Sequence, residues 1–104
     1  MEEVSNVRRL RASQRFKLFL PTRVRMGHND YPGHLIDVST SGALICAIQP
    51  CAVGSRIYIR LLGGAREARV VRRDGREYGV EFTTPLGQAE VTALLESQRD
   101  IAAA

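Results

Sequence analysis

The stretch RIYIRLLGGAREARVVRRDGREYGVEF, Arg56 to Phe82, decides what kind of fold this chain can have. Ile57, Ile59 and Leu61 alternate with Arg56, Tyr58 and Arg60, a period of two that puts the apolar side chains on one face of a strand. Gly63-Gly64 follows at once, and such a pair accepts the positive φ values a tight hairpin needs. Ala68, Val70 and Arg72 then share one face of a second strand, with Arg69 and Val71 on the other. Asp74-Gly75 turns the chain into Tyr78, Val80 and Phe82, with Gly79 and Glu81 facing oppositely. Two hairpins in succession make an antiparallel meander.

Working outward, the same period appears upstream. Thr22, Val24 and Met26 alternate with Arg23 and Arg25 after Pro21, and the runs Tyr31–Val38 and Ala43–Ile48 read as two more strands. Six short strands with glycine turns predict a mainly β fold, an antiparallel barrel or sandwich. The tail differs. Thr84 can cap and Pro85 can occupy the first turn of a helix whose Val91, Leu94 and Leu95 form an i, i+3, i+4 stripe fit to lie on the barrel. Gly87 weakens the start of that helix by about 1 kcal/mol relative to alanine, and Ala102–Ala104 should fray. At 104 residues the chain is one domain with room for a single core.

Charge is unevenly divided. Residues 1–25 hold seven Lys/Arg against two Asp/Glu, and the rest hold eight against nine, so all the net positive charge lies in the N-terminal quarter. A barrel that coats a nucleic-acid polymer is expected to spread its cations over a face, because affinity grows with the number of phosphates neutralised. It also needs aromatic stacking platforms, and with three Phe, three Tyr and no Trp few are left once the core is filled. A basic arm on a neutral body points instead to a compact anion. Arg8, Arg11 and Arg15, three and four residues apart, would share one side of a helix, but Val7 and Leu10 overlap them and no amphipathic membrane face results. There is no run of eighteen apolar residues and no secretory leader pattern, so the expected location is the cytoplasm.

Catalysis is not expected. Acidic residues are scattered singly, no histidine stands near a candidate nucleophile, and no phosphate-binding glycine loop of the Walker type appears. His28 and His34 read as surface residues on or beside the loop before the second strand, and Cys46 as a small core residue of its strand. The spacings His28-x5-His34 and Cys46-x4-Cys51 match no structural zinc site, and no metal or cofactor is expected.

Two motifs stand out. Arg11-Ala12-Ser13-Gln14-Arg15 is R-x-x-x-R, and Asp37-Val38-Ser39-Thr40-Ser41-Gly42, at the junction of the second and third strands, is D-x-S-x-x-G. Arginine binds phosphate bidentately and can pair with guanine O6 and N7 or stack on a base. The Asp37 carboxylate can accept from guanine N1–H and N2–H2, or hold an arginine in place; Ser39 can bond a base or the backbone of its own turn. Gly42 permits a backbone conformation or a close ligand approach that a Cβ would prevent.

This ordered pair of motifs resembles the PilZ domain, the bacterial receptor module for cyclic di-GMP. The likeness continues through Gly42-Ala43-Leu44-Ile45, Pro50 and Gly54 ahead of the alternating strand, and Tyr78-Gly79-Val80-Glu81-Phe82, so that it covers roughly residues 8–98. It implies a six-stranded antiparallel β-barrel with a C-terminal α-helix (17–100) and a flexible basic N-terminal arm (1–16). By resemblance Arg11, Arg15, Asp37, Ser39 and Gly42 are the ligand-binding residues, with Arg8 and Arg9 as additional phosphate contacts. In the family the residue ahead of the first motif arginine bears on whether one nucleotide or a stacked pair is held; here it is Leu10, which supplies no third cation, and one nucleotide is expected. The expected partners are cyclic di-GMP and a downstream protein, contacted by a monomer whose arm orders on binding. The alternatives are a PilZ-like adaptor that contacts a protein without nucleotide and, behind it, a small nucleic-acid-binding barrel.

Overall fold

The computed structural model describes residues 14–48 and 51–103. Among these residues six strands, β1 (Phe16–Met26), β2 (Asn29–Val38), β3 (Gly42–Ala47), β4 (Arg56–Leu61), β5 (Gly64–Asp74) and β6 (Glu77–Phe82), precede one helix, α1 (Gln88–Ala103). The strands close into a barrel in the order β1-β2-β3-β6-β5-β4, with every neighbouring pair antiparallel. Alternation fills the interior: Leu35, Ile59, Ala68 and Val70 are fully buried, and Val91 and Leu94 of α1 join the same core. No helix among the described residues is long and apolar enough to cross a membrane.

Glycines set two of the corners. In the β1–β2 and β5–β6 hairpins the ladder closes at Met26/Asn29 and Asp74/Glu77, leaving Gly27-His28 and Gly75-Arg76 as two-residue turns. Gly27 and Gly75 both have φ 63°, while no non-glycine residue among those described has positive φ, the pattern of a type II′ turn whose twist suits antiparallel strands. In the β4–β5 hairpin the two turn residues are Leu62 and Gly63 rather than Gly63 and Gly64, because Leu61 pairs with Gly64, the residue that takes the positive φ.

Several expectations shift in position. β1 begins at Phe16 and runs through Pro21, because Leu18 and Leu20 continue the inward series of Thr22 and Val24. Cys46 lies on the outer, half-buried side of β3 beside His34 and Glu77; Cys51 is the buried cysteine, its thiol pushed up by burial and drawn back only in part by Arg73. His34 sits within β2 and stacks on Phe19, the ring centroids 4.3 Å apart. Gly87, rather than Thr84, caps the helix: its carbonyl accepts from Glu90 and Val91, and its N–H donates to Glu90 Oε1 at 2.8 Å. That is one half of a capping box, and glycine serves there without a side chain because Glu90 reaches back. Glu90 also pairs with Arg66.

Bulges interrupt the simple alternation at one level of the barrel. The β1–β2 register shifts between Lys17 and Leu20, β2–β3 between Leu35 and Asp37, and β5–β6 between Val70 and Arg72. The last removes Arg72 from the face it was expected to share with Ala68 and Val70: those two are fully buried, whereas Arg72 is exposed and pairs with outward-facing Gly79.

Closure is thinnest where β1 meets β4. Only Val24/Ile59 and Arg25/Tyr58 pair there, and just beyond them the Thr22 hydroxyl donates to the Arg60 carbonyl at 2.6 Å, a side-chain bond continuing the seam. Thr22→Val keeps the shape and removes this bond, leaving the carbonyl short of a partner. It is expected to lower stability by about 1–2 kcal/mol in urea denaturation; no change would mean that the seam is held by packing alone.

Candidate functional site

The D-x-S-x-x-G stretch forms the corner between β2 and β3, and its residues divide into two jobs. Ser39 points inward with 1% of its surface exposed. Its Oγ accepts from the N–H groups of Ser41 and Gly42, each at 3.2 Å, and lies 3.3 Å from the Gly42 carbonyl, while its own N–H donates to that carbonyl at 2.8 Å. The bonds of this hydroxyl to Ser41 and Gly42 stay inside the turn, so Ser39 staples the corner. Gly42 has ordinary backbone geometry, but a Cβ there would lie 2.2 Å from the Val80 carbonyl oxygen of β6. The close approach that demands glycine is therefore strand to strand. The corner is tied down further by Leu86, whose N–H donates to the Thr40 carbonyl, and by Phe82, which donates to the Ser41 carbonyl.

Asp37 faces the other way. The bulge in β2 sets it on the outer surface opposite Lys17 of β1 and Leu44 of β3. Its side chain is only 13% exposed. Oδ2 lies 3.9 Å from Arg15 Nη1, a loose ion pair whose arginine is half exposed, and Oδ1 is buried with no hydrogen-bond partner among the described residues. A desolvated carboxylate oxygen without a donor is costly, so this one is held in place by the barrel rather than by bonds of its own. Arg15 stands immediately before β1, which brings the second arginine of the R-x-x-x-R motif to the carboxylate of the other motif. Arg8, Arg9 and Arg11 lie outside the described residues.

The neighbourhood of Asp37 extends across the barrel. Lys17, Asp37, Leu44, Gly79 and Arg72 are successive partners on β1, β2, β3, β6 and β5, a single row on the outer face. Lys17, Leu44 and Gly79 carry no motif that marks them as site residues in the sequence, and period-two reading places Arg72 on the opposite face. Two other concavities offer different chemistry. A groove of about 870 Å³ between β1, the β4–β5 hairpin and α1 is floored by Leu20, Leu61 and Leu94 and contains no motif residue. A depression of about 380 Å³ beside the corner carries both Arg69 and Glu81, which face each other across β5 and β6 and balance in charge. No cluster of three or more metal-ligating side chains occurs among the described residues.

A family model for the PilZ domain matches residues 9–97. The chain belongs to the PilZ family. Among solved structures it is similar to the PilZ domain of CeSA from a cellulose-synthesizing bacterium, at 20% identity over 86% of this chain and 98% of that one, with a TM-score of 0.60. It is also similar to the Bacillus subtilis inhibitor of motility MotI/DgrA, at 18% identity over 85% of this chain, with a TM-score of 0.58; the matched part is 49% of that protein. At these identities the two structures bear on the fold, and they place this chain on the PilZ barrel. No curated protein matches the chain. PilZ domains are regulatory binding domains of a cyclic di-GMP receptor family.

Because Gly42 is packed against β6, its substitution tests the barrel rather than the ligand. Gly42→Ala must push β3 and β6 apart, since the clash is with main chain that no rotamer can relieve. A loss on the order of 3 kcal/mol is expected, lowering the melting temperature by about 10 °C or more. A variant that melts like the parent would show that the strands separate freely at this point.

Proposed function

We propose that this PilZ domain is a receptor for cyclic di-GMP, in which Arg11 and Arg15 of the arm close over the nucleotide and Asp37 receives one of its guanines. The observation that carries this reading is the state of Asp37: a rigidly placed, nearly buried carboxylate with one oxygen lacking a donor among the described residues and an arginine loosely at the other. Guanine presents N1–H and N2–H2 side by side and satisfies such a carboxylate, while the phosphates take the arginines bidentately. Ser39 and Gly42 serve the site indirectly, by fixing the corner that holds Asp37 in position. The receptor performs no chemistry of its own and acts through a downstream protein.

Ordering of the arm has a direct route to the rest of the molecule. Arg15 leads into β1 without a break, and four residues after it the Phe19 N–H donates to the Gln98 side chain of α1. Nucleotide contacts at Arg15 therefore bear on the strand that meets the helix, and the ordered arm and α1 together offer the surface a partner reads.

Calorimetric titration with cyclic di-GMP, with GTP as the control, tests the proposal. Saturable micromolar or tighter binding is expected for the parent. Arg15→Ala should weaken it tenfold or more, on the order of 1.4 kcal/mol, with little change in melting temperature. Absence of binding by the folded parent would overturn the receptor reading in favour of an adaptor that contacts protein without nucleotide.

A further inference from the structure

The geometry points to a second guanine-reading element, Arg72 lying across Gly79, at the far end of the outer row from Asp37. The inference rests on the receptor reading above and adds to it a base-specific contact outside both motifs.

Three observations converge on it. The β5 bulge at Val71 turns Arg72 out of the core-facing series of Ala68 and Val70, and bulges of this kind commonly re-aim one side chain. Gly79, its register partner, is buried although it faces outward, because Arg72 lies over it: a Cβ on Gly79 would be 3.3 Å from Arg72 Nε and 3.6 Å from Nη2. Finally, none of the ion pairs among the described residues engages Arg72, whereas Arg15, Arg23, Arg56 and Arg66 each have a carboxylate. A guanidinium without a carboxylate partner is thus laid flat along the same outer face as Asp37.

Between them is a floor made of Leu44 and the bare backbone of Gly79. From the backbone of Asp37 to that of Arg72 is three strand spacings, roughly 14 Å, and the arginine leans back over the strand between. A flat ligand resting on Leu44 and Gly79 would meet a carboxylate at one end and a planar fork of donors at the other. These two groups read complementary parts of guanine: the carboxylate takes the N1–H and N2–H2 donors, and the guanidinium takes the O6 and N7 acceptors. Adenine offers an amino group where guanine has O6, so the Arg72 contact discriminates between the two purines. With two guanines in the ligand, Asp37 and Arg72 can serve one each.

The test is titration of the parent, Arg72→Ala, Arg72→Lys and Arg69→Ala with cyclic di-GMP and with cyclic di-AMP, with Arg15→Ala as reference. Arg69 lies on the same strand opposite Glu81 and controls for loss of surface charge. Arg72→Ala is expected to weaken cyclic di-GMP binding at least tenfold, to narrow its margin over cyclic di-AMP, and to leave the melting temperature unchanged. Arg72→Lys should not restore affinity, because a point charge lacks the fork. Arg69→Ala should stay within about twofold of the parent. If Arg72→Ala binds like Arg69→Ala while Arg15→Ala is impaired, the receptor reading stands and this inference falls. An equal loss for both dinucleotides would overturn the guanine contact and leave only a cation; no binding by the parent would overturn both readings.

Discussion

The corner between β2 and β3 is the constraint on which the rest depends. There the backbone of Gly42 lies so close to the Val80 carbonyl that no side chain fits, and the Ser39 hydroxyl satisfies the N–H groups that the tight turn would otherwise leave buried and unpaired. This locks β3 against β6 and fixes the end of β2. Asp37, two residues before Ser39, is then held at the surface by main-chain pairing on both sides, with Lys17 and with Leu44. The spacing D-x-S-x-x-G is thus a mechanical unit: one outward carboxylate, one inward staple, and one position with no Cβ. Its six residues cannot be replaced by a two-residue turn, because a shorter loop would reverse the chain without presenting the carboxylate.

Register irregularity is the second device, and it sets charged side chains on an otherwise ordinary barrel wall. A regular strand commits alternate residues to the core, so a charged residue in the inward series would be buried at great cost. The bulges at Ile36 and Val71 each insert one residue and so bring Asp37 and Arg72 to the outer face. Between those two strands β3 and β6 run without a shift, which leaves Leu44 and Gly79 as an even surface. The asymmetry of charge seen in the sequence finds its place here. Arg15, from the N-terminal quarter, reaches Asp37, while Arg23, Arg56 and Arg66 of the barrel each stand beside a carboxylate of their own.

Much of this was legible in the sequence, and the remainder was hidden for identifiable reasons. Six strands and the helix follow from period-two and 3.6-residue patterns that burial imposes on any chain of this kind, and both motifs are written out linearly. Strand ends were missed where the pattern carries no contrast: Leu18 and Leu20 were cut off from β1 by Pro21, a residue that ordinarily interrupts strands. The helix start was misplaced at Thr84 because Glu90 caps Gly87 from inside the helix, a bond that depends on where the first turn begins. Arg72 was placed on the wrong face because a bulge leaves almost no local signature; it is set by the partner strand. Ser39 and Gly42 were read with both structural and ligand roles open, and only the neighbouring strand shows what their side of the corner must accommodate.

The most direct test of the account is a map of backbone amide shifts and exchange in the uniformly labelled protein on titration with cyclic di-GMP. The account predicts changes concentrated on one outer row, at Lys17, Asp37, Leu44, Gly79 and Arg72, with slowed exchange in residues 8–16. The opposite end of the barrel, at the Gly27-His28 turn, should stay silent. Shifts confined to that opposite end, or binding that leaves residues 8–16 exchanging as before, would contradict it.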